Sequence, residues 1–236
     1  MDLITPSGTV FGWPEIDLLR GMAQHQMLAW TETPFTLKSG IESHVYFYGR
    51  NDLTDNPEFG AACGKYIGKK LSGILADDTR QPILIGVPTA GNGFAASVTH
   101  YDPRTFGRHR PGFRVMREKV KQHGAAGQKG FWVNGRPDTK RHAYATIENV
   151  VTSGESLDTA LTNIESDGYP VWDMPHFVFM DREQGGVKKL RDKGYNLHVL
   201  FGLLDTSWAF MKLNISGWDA ARVAAVEAEI KAHQVA

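Results

Sequence analysis

Two stretches of the chain share one pattern: a short apolar run, a glycine-bearing turn, then a helix. The first is Ile83-Leu84-Ile85-Gly86-Val87, a run of buried-strand type, followed by a Gly-rich turn and the small-residue stretch Phe94 to Val98. The second runs from Ala143 to Val151, passes through Thr152-Ser153-Gly154 and enters a helix carrying Leu157, Ala160, Leu161 and Ile164. Gly168 and Pro170 end that helix. Strands alternating with helices predict an α/β fold with a mostly parallel sheet. Phe113 to Met116, His176 to Met180 and Leu197 to Leu204 are further strand candidates, the last two separated by the charged segment Lys188 to Lys193. A helix is expected from Pro14 to Trp30, with Ile16, Leu19, Met22 and Ala23 on one face. Asn56-Pro57 opens another, Asn at N-cap and Pro at N1, after which Phe59, Ala62, Cys63, Tyr66, Ile67, Leu71 and Ile74 recur at helical spacing. A last helix is expected over Asp219 to Ala232.

Composition narrows the setting. A chain of 236 residues buries a sizeable core, and 42% apolar content with no net charge excludes disorder. One cysteine excludes a disulfide framework and Cys-rich zinc sites; Cys63 lies within a helical apolar stripe, as a core thiol does. His44, His109, His123 and His142 are too scattered to suggest a metal cluster. No apolar run approaches the roughly 18 residues of a membrane span. Residues 1–20 carry Asp2, Glu15 and Asp17 in place of a basic leader. A cytoplasmic protein without a membrane partner is expected.

The zero net charge conceals a split. From Arg104 to Arg141 there are eleven Lys/Arg against Glu118 and Asp138, so this segment is +9 and the remainder −9. A local field of that size concentrates anions, although a solvated basic loop has the same composition. In open α/β sheets ligands bind where strand ends turn into helix N-termini. The turn Gly91-Asn92-Gly93-Phe94-Ala95-Ala96 fits a loose dinucleotide pattern, but Arg108 to Arg114 stands where an acid would hold the ribose, which leaves at most an NADP-type site or a turn without ligand. The second turn carries more chemistry. Backbone N–H groups at its helix start suit a phosphate, with Thr152, Ser153 and Ser156 as extra donors, and Glu148 is placed to accept from sugar hydroxyls. An ordinary helix start capped by Ser153 is compatible with the same residues.

Ile147-Glu148-Asn149-Val150-Val151-Thr152-Ser153-Gly154 resembles the phosphoribosyl-pyrophosphate motif of type I phosphoribosyltransferases. Four further segments resemble the orotate phosphoribosyltransferases. They are Phe35-Thr36-Leu37-Lys38-Ser39-Gly40 with Ser43 and Tyr46-Phe47; Pro88-Thr89-Ala90-Gly91-Asn92-Gly93, in the place of the family's pyrophosphate loop; Met116 to Gly124, like its mobile catalytic loop; and Asp181-Arg182-Glu183-Gln184-Gly185-Gly186, like its signature near the base. All five occur in family order between about residues 15 and 205.

The resemblance implies a single phosphoribosyltransferase domain over residues 1–236: an N-terminal helix and hood to about residue 50, a core sheet with helices from about 51 to 205, and a C-terminal helical tail from about 206. It implies orotate and phosphoribosyl pyrophosphate as substrates, orotidine 5′-monophosphate and pyrophosphate as products, and Mg²⁺ held mainly through the sugar pyrophosphate and water rather than by the protein. Arg117, Lys121 and His123, with Glu148, become the catalytic candidates. Lys38, Thr89, Gly91, Asn149, Thr152, Ser153, Gly154 and Ser156 would bind the sugar donor; Tyr46, Phe47 and Arg182 would bind the base. A homodimer with the basic loop shared between subunits is implied as well.

Four positions depart from the family pattern. Asn149 follows Glu148 where a second acid is common, Glu118 and Lys119 invert a usual charge pair, and Glu155 occupies a phosphate-loop position usually small or polar. A stretch from Phe131 to His142 looks inserted. These departures keep two alternatives in view, a phosphoribosyltransferase for another base and a non-catalytic nucleotide sensor. A nucleic-acid binder using Phe106, Phe113, Phe131 and Trp132 among the basic residues is a further reading, opposed by the acidic remainder of the chain, so no nucleic-acid partner is expected.

Overall fold

The computed structural model describes residues 2–37, 40–49, 52–104, 109–121, 130–133 and 138–234. The chain starts with a short antiparallel pair, β1 (Leu3–Ile4) and β2 (Val10–Phe11), followed by α1 (Trp13–Gln24). Antiparallel strands β3 (Leu28–Thr36) and β4 (Glu42–Phe47) come next, then α2 (Asp52–Asp55) and α3 (Pro57–Ile74). The helix expected over Pro14 to Trp30 therefore stops at Gln24. Gln26 adopts a positive φ of 52°, and the apolar residues from Leu28 onward form a strand instead.

The rest of the chain builds one sheet. Its strands are β5 (Gln81–Gly86), β6 (Gly112–Lys121), β7 (Gly130–Trp132), β8 (His142–Val151), β9 (Pro175–Asp181) and β10 (Asn196–Gly202). The spatial order is β10-β9-β8-β5-β6-β7, parallel throughout except for the antiparallel β6–β7 pair. Helices α4 (Gly91–Ser97), α5 (Glu155–Ser166), α6 (Gly186–Asp192), α7 (Leu203–Lys212) and α8 (Ala220–His233) complete the chain. β6 runs five residues beyond the expected Met116, because its far end pairs with Gly130 of β7. Phe131 and Trp132, which looked like part of an insertion, belong to that pairing.

Alternation along the strands explains why both faces are covered. Leu84, Ala145, Ile147, Phe177 and Phe179 point into one core with α1, α3, α4, α7 and α8; Ile83, Ile85, Tyr144 and Val178 point into the other with α5 and α6. Each fully buried Leu or Phe stabilises the fold by about 1.5–3 kcal/mol. The C-terminal helices are part of this packing: Phe210 of α7 and Val226 and Ile230 of α8 are buried in the first core. α8 begins at an Asp219 N-cap, whose carboxylate accepts from the Arg222 N–H at 2.9 Å. Among the described residues no helix is long and apolar enough to cross a membrane.

Candidate active site

Three neighbouring parallel strands, β5, β8 and β9, finish at the same edge of the sheet, and each turn there feeds a helix N-terminus. The turn after β5 is fastened to the centre of the sheet, since Val87 donates its N–H to the Ile147 carbonyl at 2.9 Å. Gly91 sits so close to β8 that a Cβ there would lie 2.4 Å from the Ile147 oxygen, so only glycine fits. The Pro88–Thr89 peptide bond in this turn is cis, and Thr89 is exposed at its tip. Asn92 then joins the turn to β6 with a reciprocal pair: its Nδ2 donates to the Met116 carbonyl at 3.0 Å, and the Met116 N–H donates to its Oδ1 at 3.2 Å.

The turn after β8 is built differently. Glu148 is 4% exposed, and its Oε1 accepts the Asn149 N–H at 3.0 Å, which holds the carboxylate at the strand end. Thr152 and Ser153 are half-buried. The cap of α5 is Gly154 in the left-handed region (φ 79°), with no side-chain hydrogen bond, rather than Ser153. Its first amides therefore stay unused by side-chain caps, the arrangement in which a helix start receives an anion. Glu155 and Ser156 are exposed on that first turn, so Glu155 is free to face solvent and complement the helix dipole.

The third turn locks onto the second. Gly186 donates its N–H to the Thr152 carbonyl at 3.1 Å, and Arg182 donates its own to the Val151 carbonyl at 3.0 Å. Asp181 accepts from the Glu183 N–H at 2.9 Å, and Glu183 in turn accepts from the Leu204 N–H at 2.7 Å at the start of α7. Burial pushes both carboxyls above their ordinary values. The β3–β4 pair closes the site from the other side. Phe47 packs on Phe179 with ring centroids 6.0 Å apart, and a Cβ at Gly49 would meet both the Phe47 ring at 2.7 Å and the Asn149 amide at 3.0 Å.

The arrangement matches known proteins. The orotate phosphoribosyltransferase of Nostoc sp. is 26% identical over 189 residues, 79% of this chain and 83% of that protein. Among solved structures, an orotate phosphoribosyltransferase of Mycobacterium tuberculosis superposes with a TM-score of 0.61 at 21% identity, covering 82% of this chain and 99% of that one. The Leishmania donovani UMP synthase gives 0.68 at 20% identity over 92% of this chain, which spans only 42% of that longer protein. No family model matches the sequence.

The chain has the type I phosphoribosyltransferase fold. Within that fold, Glu148 and Asn149 on the end of β8, Thr152, Ser153 and Gly154 in the turn and Ser156 on the first turn of α5 follow one another along a single strand-turn-helix segment, and Gly91 packs directly against its strand. Tyr46 and Phe47 separate. Adjacent strand residues face opposite sides, so Phe47 is buried near Asn149 while Tyr46 is exposed among Phe35 and Tyr48, at ring distances of 5.0 and 4.2 Å. Arg182 is 2% exposed, and Arg117 is half-buried and donates across the β6–β7 pair to the Trp132 and Gly130 carbonyls. Lys38, His123 and the Lys121 side chain lie outside the described residues. Sequence reasoning missed Gly49 and Glu229. The first carries no motif, and the second lies 47 residues from the side chain it bonds.

Proposed function

We propose that the chain transfers a phosphoribosyl group from phosphoribosyl pyrophosphate to orotate, giving orotidine 5′-monophosphate and pyrophosphate in pyrimidine synthesis. The observation that carries this reading is the uncapped start of α5 beside Glu148, one strand from the Thr89–Gly91 turn and under Phe47. In this assignment Thr152, Ser153, Gly154, Ser156 and the α5 amides take the 5′-phosphate, Glu148 and Asn149 the ribose hydroxyls, and Thr89 and Gly91 the pyrophosphate, with Lys38 on the donor side. Phe47 stacks on the base, Arg182 lies behind it and Tyr46 sits at the rim. As C1′ loses pyrophosphate, positive charge develops on the ribose and negative charge on the leaving group. The Glu148 carboxylate favours the first; cations at Arg117, Lys121 and His123 favour the second.

Magnesium takes hard oxygen ligands and keeps several waters. The ion would be held mainly through the sugar pyrophosphate and water, with the Glu148 carboxylate, which accepts the Asn149 N–H, and the Asn149 amide assigned to the ribose hydroxyls beside it. When bound, that ion neutralises charge on the leaving group. We assign the whole chain to one transferase unit, with a hood to about residue 50, a core to about 205 and C-terminal helices beyond. It acts in the cytoplasm as a homodimer whose basic loop serves the neighbouring site. Sedimentation velocity tests the dimer: a monomeric species at working concentration would overturn it.

A transferase for a different base is the second reading, favoured because the Arg182 charge is already met by Glu229 at 2.9 Å. Pyrophosphate release measured with orotate, uracil, adenine and guanine decides between them. Release with orotate supports the first reading; release with another base alone supports the second. No release with any base would overturn both.

A further inference from the structure

One side chain of the C-terminal helix reaches the buried end of this site. The Oε1 of Glu229 in α8 accepts from Arg182 Nη2 at 2.9 Å and from Gln184 Nε2 at 3.2 Å, and its Oε2 accepts from Ser43 Oγ at 3.0 Å. Arg182 Nη2 also donates to Ser43 Oγ at 2.7 Å, and its Nη1 donates to the Val45 carbonyl at 2.8 Å. Ser43, Arg182 and Gln184 are each at most 2% exposed. The Glu229 side chain is 11% exposed, so the whole cluster is shielded from water. A buried ion pair contributes little net stability, because desolvation opposes the attraction. What these contacts supply is geometry. A guanidinium held by three acceptors keeps its plane fixed, and the Val45 carbonyl it grips lies two residues before Phe47, on the same face of β4. Phe47 in turn packs on Phe179 and borders Gly49, where an added Cβ would touch both the Phe47 ring and the Asn149 amide.

We propose that Glu229 is a positioning residue. From the C-terminal helix it orients Arg182, Ser43 and Gln184, and through them it sets strand β4 and Phe47 over the base. The identity of the ligand as a base rests on the transferase reading above, whereas the coupling of α8 to β4 does not.

The test uses the full chain with Glu229→Ala and Glu229→Gln. Amide hydrogen exchange of residues 42–47 should rise on the order of tenfold or more in Glu229→Ala, with β5, β8 and β9 at wild-type rates. Glu229→Gln, which keeps an acceptor, should show a smaller rise. Unchanged exchange at 42–47 would overturn the coupling, and so would faster exchange throughout the sheet. In turnover, Glu229→Ala should raise KM for orotate on the order of ten- to a hundredfold while KM for phosphoribosyl pyrophosphate stays within about twofold, with partial rescue by Glu229→Gln. An equal loss in both KM values would make Glu229 merely structural. A wild-type protein without turnover would overturn the transferase reading, and the exchange result would still decide the coupling.

Discussion

Replacing Gly91 by alanine places a Cβ 2.4 Å from the Ile147 carbonyl oxygen, where ordinary contact starts at 3.4 Å. Neither group is the end of a flexible side chain, so the turn has to retreat from β8 by about 1 Å, the difference between those two distances. Overpacking of this kind costs about 1–3 kcal/mol. The gain of alanine over glycine in a helix, about 0.5–1 kcal/mol, offsets only part of it. Gly93 provides the control, two residues along the same helix. Its added Cβ meets only Leu53, with Cδ1 at 3.7 Å and Cβ at 4.0 Å, both ordinary contacts. Gly93→Ala should therefore be neutral or stabilising by up to about 1 kcal/mol. Urea denaturation of the two variants should differ by about 2 kcal/mol, Gly91→Ala being the weaker. Because the displaced turn also carries Asn92 and its two bonds to Met116, the side of the site that we assign to the sugar donor moves with it. A displacement of ~1 Å costs up to about a hundredfold in turnover. Equal denaturation midpoints for the two variants, or unchanged kinetics in Gly91→Ala, would refute this account of the turn.

Three further outcomes follow from named contacts. Trp132 is 2% exposed and donates Nε1–H to Asp167 Oδ2 at 2.6 Å, so Asp167→Ala should cost about 1–3 kcal/mol in urea denaturation; a loss below ~0.5 kcal/mol would count against that bond as an anchor of β7. His176 is fully buried between Thr146 Oγ1 at 2.9 Å and the Val171 carbonyl at 2.7 Å, and burial lowers its pKa to about 4 from 6.5. Its folded value lies below its unfolded one, so this contribution is complete above pH 6.5 and lost as pH falls towards 4, on the order of 3 kcal/mol in all. Comparison of His176→Asn with wild type at pH 7 and pH 5 checks it: the variant should lose less on acidification, and equal losses would contradict the assignment. Lys121→Ala should lower turnover by on the order of a hundredfold or more with an unchanged denaturation midpoint. Full activity in that variant would remove Lys121 from the leaving-group role.

The elements that read most directly from sequence are those whose cause is local. Ile83 to Gly86 and Ala143 to Val151 are strand because apolar side chains cover both faces, and Asn56-Pro57 starts α3 through backbone preferences alone. The turn after β8 was equally legible as a strand-to-helix connection, although its cap is Gly154 rather than Ser153, a choice made by the left-handed backbone there. What was hidden depends on distant partners. Leu28 to Trp30 continue the apolar spacing of α1, and only pairing with β4 makes them strand. Arg117 to Lys121 look like a solvated loop until Gly130 is set opposite Lys121. Tyr46 and Phe47 form one aromatic pair in sequence but two faces in a strand. The Arg182–Glu229 contact joins segments with no shared motif, so nothing near either residue announces it.

The most direct measurement of the central claim is the initial rate of orotate consumption by the purified full chain with phosphoribosyl pyrophosphate and Mg²⁺, followed by ultraviolet absorbance and paired with quantification of the nucleotide formed. The account predicts that each orotate consumed yields one orotidine 5′-monophosphate and one pyrophosphate, with no consumption when the sugar donor is left out. Intact orotate after prolonged incubation across pH 6–9 and several divalent metals would contradict it.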